Sequence, residues 1–319
     1  MTQTNQQRAL GQSGLSVPPL GVGTNRWGAK DRQKSAIFEA FRASLESGLN
    51  FFDTAEVYTG GNSERLLGEF IHRDPRPVIV ASKFLPIFRL SPHQLMDALD
   101  ASLKRLERQS VDIYYVHFPI SLMSIEAMMD MMALAVRTGK IRAVGVSNFS
   151  AQQMRRAAAR LGRYDIPLAA NQVQYSLLNR QPETNGVLEA CRELNVALVA
   201  YRPLAGGLLK ATEASASAQV PTTQTSANLL ARFVVNRMRR NHPEQLATLQ
   251  TTLNDVARAH DKTVSQVALN WLLQRDEHVI PIPGATNSHH ALENAETLTW
   301  QLTGEEFAAI EQASSPWKK

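Results

Sequence analysis

The chain has 319 residues, 44% of them hydrophobic, with a formal net charge of +5 and one cysteine, Cys191. That content suffices for one large core, so a single domain spanning 1–319 is expected; one cysteine excludes an internal disulfide framework, and no apolar run is long enough for a membrane span. The polar start MTQTNQQRALGQSG carries no secretory signal, so a cytoplasmic setting is expected, and the aromatics interleaved with basic residues that nucleic-acid binding would need are absent.

In chain order, Leu10 to Leu15 and Val17 to Pro19 read as a short hairpin suited to closing a barrel floor. LGVGT, ending at Thr24, is a first short strand whose Gly21 and Gly23 admit close backbone approach. The spacing of Ile37, Phe38, Phe41 and Leu45 predicts a helix from Ser35 to Leu45, stopped by Gly48 before the strand FFDTA. Ser63 is expected to cap a helix carrying Leu66, Leu67, Phe70 and Ile71, and Pro75 and Pro77 separate it from VIVAS. Ser91, with Pro92 at the first helical position, opens a helix with Leu95, Leu99, Leu103 and Leu106 on one face, followed by DIYYVH. A helix from Ile125 to Thr138 stops at Gly139; AVGVSN follows, and Ser150 caps a helix from Ala151 to Leu161. Then come ANQVQY, a helix from Val187 to Leu194, ALVAYR, a long insertion from Gly206 to about Thr252, a helix from Val264 to Gln274, VIPIPG and two final helices. Met128, Met129, Met131 and Met132 read as adaptable helix packing, and Arg237 to Arg240 as a solvated face.

Eight mostly continuous apolar strands separated by helices predict an α/β chain folded as a (β/α)8 TIM barrel, with an N-terminal hairpin and extra C-terminal helices. An open sheet binding a dinucleotide would show G-x-G-x-x-G after its first strand, and GVGTNRWG lacks that spacing. Asp53, Tyr58, Lys83 and His117 all fall at or just beyond the carboxyl ends of predicted strands, where a barrel gathers its chemistry.

The ordered segments FDTAEVYTGGNSERLLGEF, VIVASK, YYVH, KIRAVGVSNFS, NQVQYSLLNR, AYRPLAGGLL and IPIPGATNSHHALEN resemble the aldo-keto reductases. Within that family the long insertion and the GNSE segment are similar to the branch of Shaker-type channel beta subunits, pyridoxal reductases and bacterial reductases. The resemblance implies an NADPH-dependent oxidoreductase that reduces aldehydes and ketones, with NADH as an alternative cofactor. A cofactor-binding, redox-sensing regulatory subunit with slow turnover is the competing function.

Reduction of a carbonyl by hydride builds charge on oxygen, so an acid must supply a proton. Tyr58 is the expected acid; a free phenol titrates near ~10, and Lys83 is the cation expected to lower that value. Asp53 would orient Lys83, and His117 would donate a hydrogen bond to the carbonyl oxygen. By the same resemblance Ser147, Asn148 and Gln172 would hold the nicotinamide carboxamide, Tyr201 would stack on its ring, and Thr24 would lie beside it. Arg202, Pro203, Leu204 and Gly206 would approach the pyrophosphate, Arg202 standing where the family commonly has Ser. Ile282, Gly284, Thr286 and His290 would line the adenosine phosphate, and Glu293 with Asn294 would read the adenine. No Lys or Arg lies between Gly284 and Asn294, a departure from phosphate-preferring members. Trp27, Phe84, Phe118 and Phe149 are expected to face a small apolar or ring-bearing carbonyl substrate. No metal and no membrane partner is expected, and the assembly is expected to be a monomer or weak homo-oligomer.

Overall fold

The computed structural model describes residues 7–29, 32–210 and 242–318. A hairpin of β1 (Arg8–Ala9) and β2 (Ser16–Val17) precedes eight parallel strands that neighbour one another in chain order. These are β3 (Val22–Gly23), β4 (Phe51–Asp53), β5 (Ile79–Phe84), β6 (Val111–Val116), β7 (Ile141–Ser147), β8 (Leu168–Gln174), β9 (Ala197–Tyr201) and β10 (Val279–Pro281). The sheet closes on itself: the amides of Gly21 and Gly23 donate to the carbonyls of Pro281 and Pro283, both at 2.9 Å, and Gly23 pairs with Gly284. A Cβ at Gly23 would stand 2.9 Å from the Ile282 carbonyl oxygen, so closure requires glycine there.

Successive strand residues point to opposite faces, so one parity fills the barrel while the other meets the helices. Phe51, Ala81, Ile113, Tyr115, Ala143, Val199 and Ile280 pack inside, together with Leu10, Leu15 and Val17 of the hairpin loop and strand. The predicted plug is therefore present, and Arg8 fastens it by donating to the carbonyls of Leu273, Asp276 and Val279. The opposite parity, including Phe52, Val80, Tyr114, Val116 and Val144, packs outward against the helices. At Gly145 the barrel interior has room only for the Tyr115 ring, since an added Cβ would lie 2.3 Å from its Cδ1.

Helices Lys34–Glu46, Ile125–Arg137, Ala151–Gly162, Val187–Glu193 and Val264–Arg275 match the predicted ones to within one or two residues. Ser150 and Thr263 each form a full capping box, with Gln153 and Gln266. Two helix starts differ. Helix Asn62–Arg73 begins after left-handed Gly61, and Ser63 lies inside it, its hydroxyl taken by Thr24 and Thr54 rather than by the helix end. Helix His93–Leu106 begins one residue beyond Pro92, with the Gln94 side chain accepting from the amides of Leu90 and Ser91. Helix Pro243–Ala259 occupies the end of the predicted insertion; Arg237 to Arg240 and the rest of 211–241 lie outside the described residues. The two carboxyl-terminal helices are Ser288–Glu296 and Gly304–Ala313.

Candidate active site

Strand parity places the site. Asp53, Lys83, Ser147, Gln172 and Tyr201 carry the inward parity at the carboxyl ends of β4, β5, β7, β8 and β9, and His117 continues it one residue past β6. Tyr58 arrives from a 3-10 turn, Tyr58–Gly61, on the loop leaving β4. The four predicted residues thus meet above the barrel core.

Lys83 is fully buried, and its Nζ donates to Asp53 Oδ1 at 2.5 Å, to the Thr54 carbonyl at 2.7 Å and to the Tyr58 hydroxyl at 3.2 Å. Burial alone would lower the ammonium's pKa, but Asp53 and Tyr58 outweigh it, and Lys83 titrates above its ordinary value. Asp53 is raised by burial, with Lys83 pulling the other way. Such a pair is weak evidence of stabilisation, because desolvating two charges offsets much of their attraction. Its value lies in fixing a cation against the phenol. The Tyr58 phenol itself titrates above its usual value: burial raises it by more than Lys83 lowers it. The expected net depression is therefore absent, although the cation acts in the expected direction.

His117 is buried, and burial with the nearby Lys83 charge pushes its pKa down to about 3, so the imidazole is neutral. Its ring meets Tyr58 edge-on at 6.0 Å and stacks on Phe118 at 4.9 Å. Its Nδ1 has no hydrogen-bond partner among the described residues.

A hydrogen-bonded chain runs from Tyr201 to this group. The Tyr201 hydroxyl donates to Asn148 Oδ1 (2.9 Å), Asn148 Nδ2 to Ser147 Oγ (3.0 Å), Ser147 Oγ to the Gln172 carbonyl (2.8 Å), and Gln172 Nε2 to Asp53 Oδ2 (2.7 Å). Gln172 therefore already spends an amide proton on Asp53, a link that strand spacing alone does not reveal. Asn148 holds a left-handed backbone, φ 62°, and its Nδ2 also donates to the His117 carbonyl. Thr24 differs from expectation: it is fully buried, with its hydroxyl on the Asp53 carbonyl and on Ser63, so it ties strand ends together and presents no ligand-facing surface.

Beyond Tyr201, Arg202 is exposed with φ 50°, Pro203 is buried and Leu204 half-buried. Gly206 and Gly207 are left-handed, and among the described residues a Cβ at either would meet nothing within 4 Å. Ile282 is buried, whereas Gly284 is exposed and Thr286 half-buried. Asn287 caps helix Ser288–Glu296 by accepting from the His290 amide at 2.8 Å, and Thr286 contacts His290 Nδ1 at 3.3 Å. Glu293 accepts from the Thr263 hydroxyl, and Asn294 is nearly enclosed.

Of the four residues expected to face substrate, only Phe118 retains accessible surface beside the site. Trp27 is fully buried among Phe41, Phe52 and Phe70, its indole nitrogen donating to the Ala285 carbonyl. Phe84 follows inward Lys83 and so points outward into the helix layer, under Arg89. Phe149 is packed in the same layer, and its carbonyl accepts from Asn171.

Sequence reading missed two braces. Buried Glu64 accepts from Ser82 (2.6 Å) and Arg105 (2.5 Å), binding three elements behind Lys83. Buried Arg180 pairs with Glu183 and Glu311 at 2.7 and 2.8 Å, fixing the loop after β8 to the last helix. Nothing local distinguishes Glu64 or Arg180 from surface charge, because Ser82, Arg105 and Glu311 are distant in the chain and an i,i+3 pair such as Arg180–Glu183 is ordinary on a surface.

Residues 19–315 match the family model described as the aldo/keto reductase family. The chain belongs to that family. It is an NAD(P)H-dependent oxidoreductase. This aldo-keto reductase is 35% identical to the chloroplastic pyridoxal reductase of Arabidopsis thaliana, over 94% of this chain and 84% of that one. It is 29% identical to probable aldo-keto reductase 1 of Glycine max, over 98% and 90%. Among solved structures, a thermostable aldo-keto reductase in complex with the inhibitor epalrestat superposes with TM-score 0.77 at 29% identity, covering 97% of this chain and 99% of that one. A Klebsiella pneumoniae aldo-keto reductase in complex with NADPH gives 0.76 at 27% identity, over 96% and 94%. Among the described residues, no helix is long and apolar enough to cross a membrane.

Proposed function

We propose that this aldo-keto reductase reduces aldehydes and ketones to alcohols with NADPH, Tyr58 supplying the proton. The observation that carries the reading is the Lys83–Tyr58 contact of 3.2 Å beside a neutral His117. A phenol raised by burial stays protonated at neutral pH, as a proton donor must. Lys83, held charged by Asp53, then stabilises the phenolate left behind. His117 has no spare proton at neutral pH, so its part is to donate one hydrogen bond that orients the carbonyl oxygen.

The residues fit the cofactor. Left-handed Gly206 and Gly207 beside exposed Arg202 offer backbone amides and a guanidinium to a pyrophosphate, and the half-exposed Tyr201 ring offers a flat face to a nicotinamide. Ser147 and Asn148 supply polar atoms for a carboxamide, and the turn from Gly284 to His290 would take the adenosine phosphate. When bound, NADPH supplies the hydride. The Klebsiella relatives crystallised with NADP and NADPH support this choice of cofactor, and the pyridoxal reductase likeness adds vitamin B6 aldehydes to the substrates worth assaying.

The test is steady-state oxidation of NADPH and of NADH across aldehydes, ketones and pyridoxal. Rapid turnover of a carbonyl with NADPH is expected. Cofactor binding without turnover of any carbonyl would instead match a slow regulatory subunit and overturn the reductase reading.

A further inference from the structure

A cavity of about 320 Å³ lies where helices Lys34–Glu46 and Asn62–Arg73 begin. None of its lining residues is among those expected to bind substrate or cofactor. Its walls are set by the fold. The loop after β3 is pinned there by Trp27, whose indole donates to the Ala285 carbonyl and whose own carbonyl accepts from the Thr59 hydroxyl at 2.7 Å. Gly28, with φ 78°, sits so close to the second helix that a Cβ would stand 2.7 Å from Asn62 Cβ. The cavity is therefore built before any ligand arrives, and its volume is at the lower end of small-molecule sites.

The lining divides by chemistry. Ala29, Ile37 and Leu66 give an apolar side, while Arg32, Lys34 and Arg65 bring three cations and Asn62 an amide. Among the described residues no carboxylate lines the cavity. The acids nearby are engaged elsewhere. Glu69 pairs with Lys34 at 2.5 Å and with Arg73 at 3.8 Å, and buried Glu64 has one oxygen on Ser82 and the other on Arg105. Among the described residues no acid pairs with Arg65. Lys34 and Arg65 also occupy the first turns of their helices, where the helix dipole disfavours a cation. An anion seated between the two helix starts would reverse that penalty.

We propose that this cavity binds a small phosphate ester, its phosphoryl group held by Arg32 and Arg65 and its organic part laid against Ile37 and Leu66. A carboxylate fills one guanidinium fork, whereas a phosphoryl dianion has oxygens for two, so two guanidinia lining one cavity favour the phosphate. The apolar side favours an ester over the bare ion. The site is separate from the cofactor's, whose expected phosphate contacts lie on the loops after β9 and β10.

The test is calorimetric titration of the NADPH-saturated protein, so that the cofactor's own phosphate contacts are occupied, with phenyl phosphate, inorganic phosphate and phenol at one ionic strength. Phenyl phosphate should bind with a Kd of about 1 mM or tighter, and both other probes several-fold more weakly. Arg32→Gln/Arg65→Gln should weaken phenyl phosphate by at least about ten-fold with NADPH affinity unchanged. If the double variant also loses NADPH, Arg65→Gln alone decides by the same comparison, since Arg65 has no acid partner to strand among the described residues. Absence of phenyl phosphate binding to wild type, or equal binding to wild type and variant, overturns the proposal. Phenol binding as tightly as phenyl phosphate would mark an apolar hollow, and inorganic phosphate binding as tightly would mark a plain anion site; either result overturns the ester.

Discussion

Replacing Lys83 with Met tests the buried pair, and its cost can be worked from Asp53. The methionine keeps most of the side chain's bulk but leaves the carboxylate enclosed, with Gln172 alone among the described residues donating to it. Burial already raises Asp53 in the presence of Lys83, so without the cation it should fold in its protonated form. Its ordinary value is 3.8; holding it protonated at pH 7, roughly three units higher, costs about 4 kcal/mol at 1.36 kcal/mol per unit. That agrees with the ~3–5 kcal/mol typical of breaking a buried pair. At pH 5 the same arithmetic gives about 1.6 kcal/mol. The sign follows because the folded variant binds the proton that the unfolded chain releases above 3.8, so its stability falls as pH rises. Urea unfolding of wild type and Lys83→Met at pH 5 and pH 7, with m-values compared, measures the deficit directly. A deficit equal at the two pH values, or larger at pH 5, would refute an ionised Asp53 held by Lys83.

His117 should show no titration by NMR between pH 5 and 8, since its pKa is pushed down to about 3. Folded His117 therefore binds fewer protons than the unfolded chain below 6.5, and the stability it contributes is present above that value and lost as pH falls. By pH 5 about 2 kcal/mol should be lost through this group, and His117→Gln should not show that loss on urea unfolding. Gly68→Ala should destabilise although alanine favours a helix by about 1 kcal/mol. The new Cβ would lie 2.5 Å from the Leu106 carbonyl oxygen, and overpacking against backbone costs ~1–3 kcal/mol or more; a variant more stable than wild type in urea would show that the two helices can part freely.

Much of the barrel is legible because most of its strands are largely apolar runs, several of them ended by a polar residue. Asp53, Lys83 and His117 could be grouped for the same reason. The rule that sets Lys83 inward also turns Phe84 outward, since adjacent strand residues face opposite ways, so this misplacement was readable from the sequence. Trp27 and Phe149 lie in connections with no such period, and only the tertiary fold buries Trp27 among Phe41, Phe52 and Phe70. Thr24 has its hydroxyl taken by Asp53 and Ser63, 29 and 39 residues away. Arg180 finds Glu311 at a separation of 131 residues. Partnerships at that range leave no mark on local spacing. The direction of the Tyr58 shift escaped the sequence for a related reason: the effect of Lys83 follows from residue types, but the larger effect of burial depends on everything packed around the ring.

The claim that Tyr58 donates the proton is tested most directly by rapid mixing of NADPH-loaded wild type and Tyr58→Phe with an aldehyde that wild type reduces. Loss of nicotinamide absorbance is followed over a single turnover, and NADPH affinity is measured separately by fluorescence. The phenylalanine keeps the ring edge-on to His117 and removes only the hydroxyl that Lys83 touches. Reduction should slow by about 10²-fold or more with NADPH affinity nearly unchanged; a rate equal to wild type in a variant that still binds NADPH would contradict the assignment.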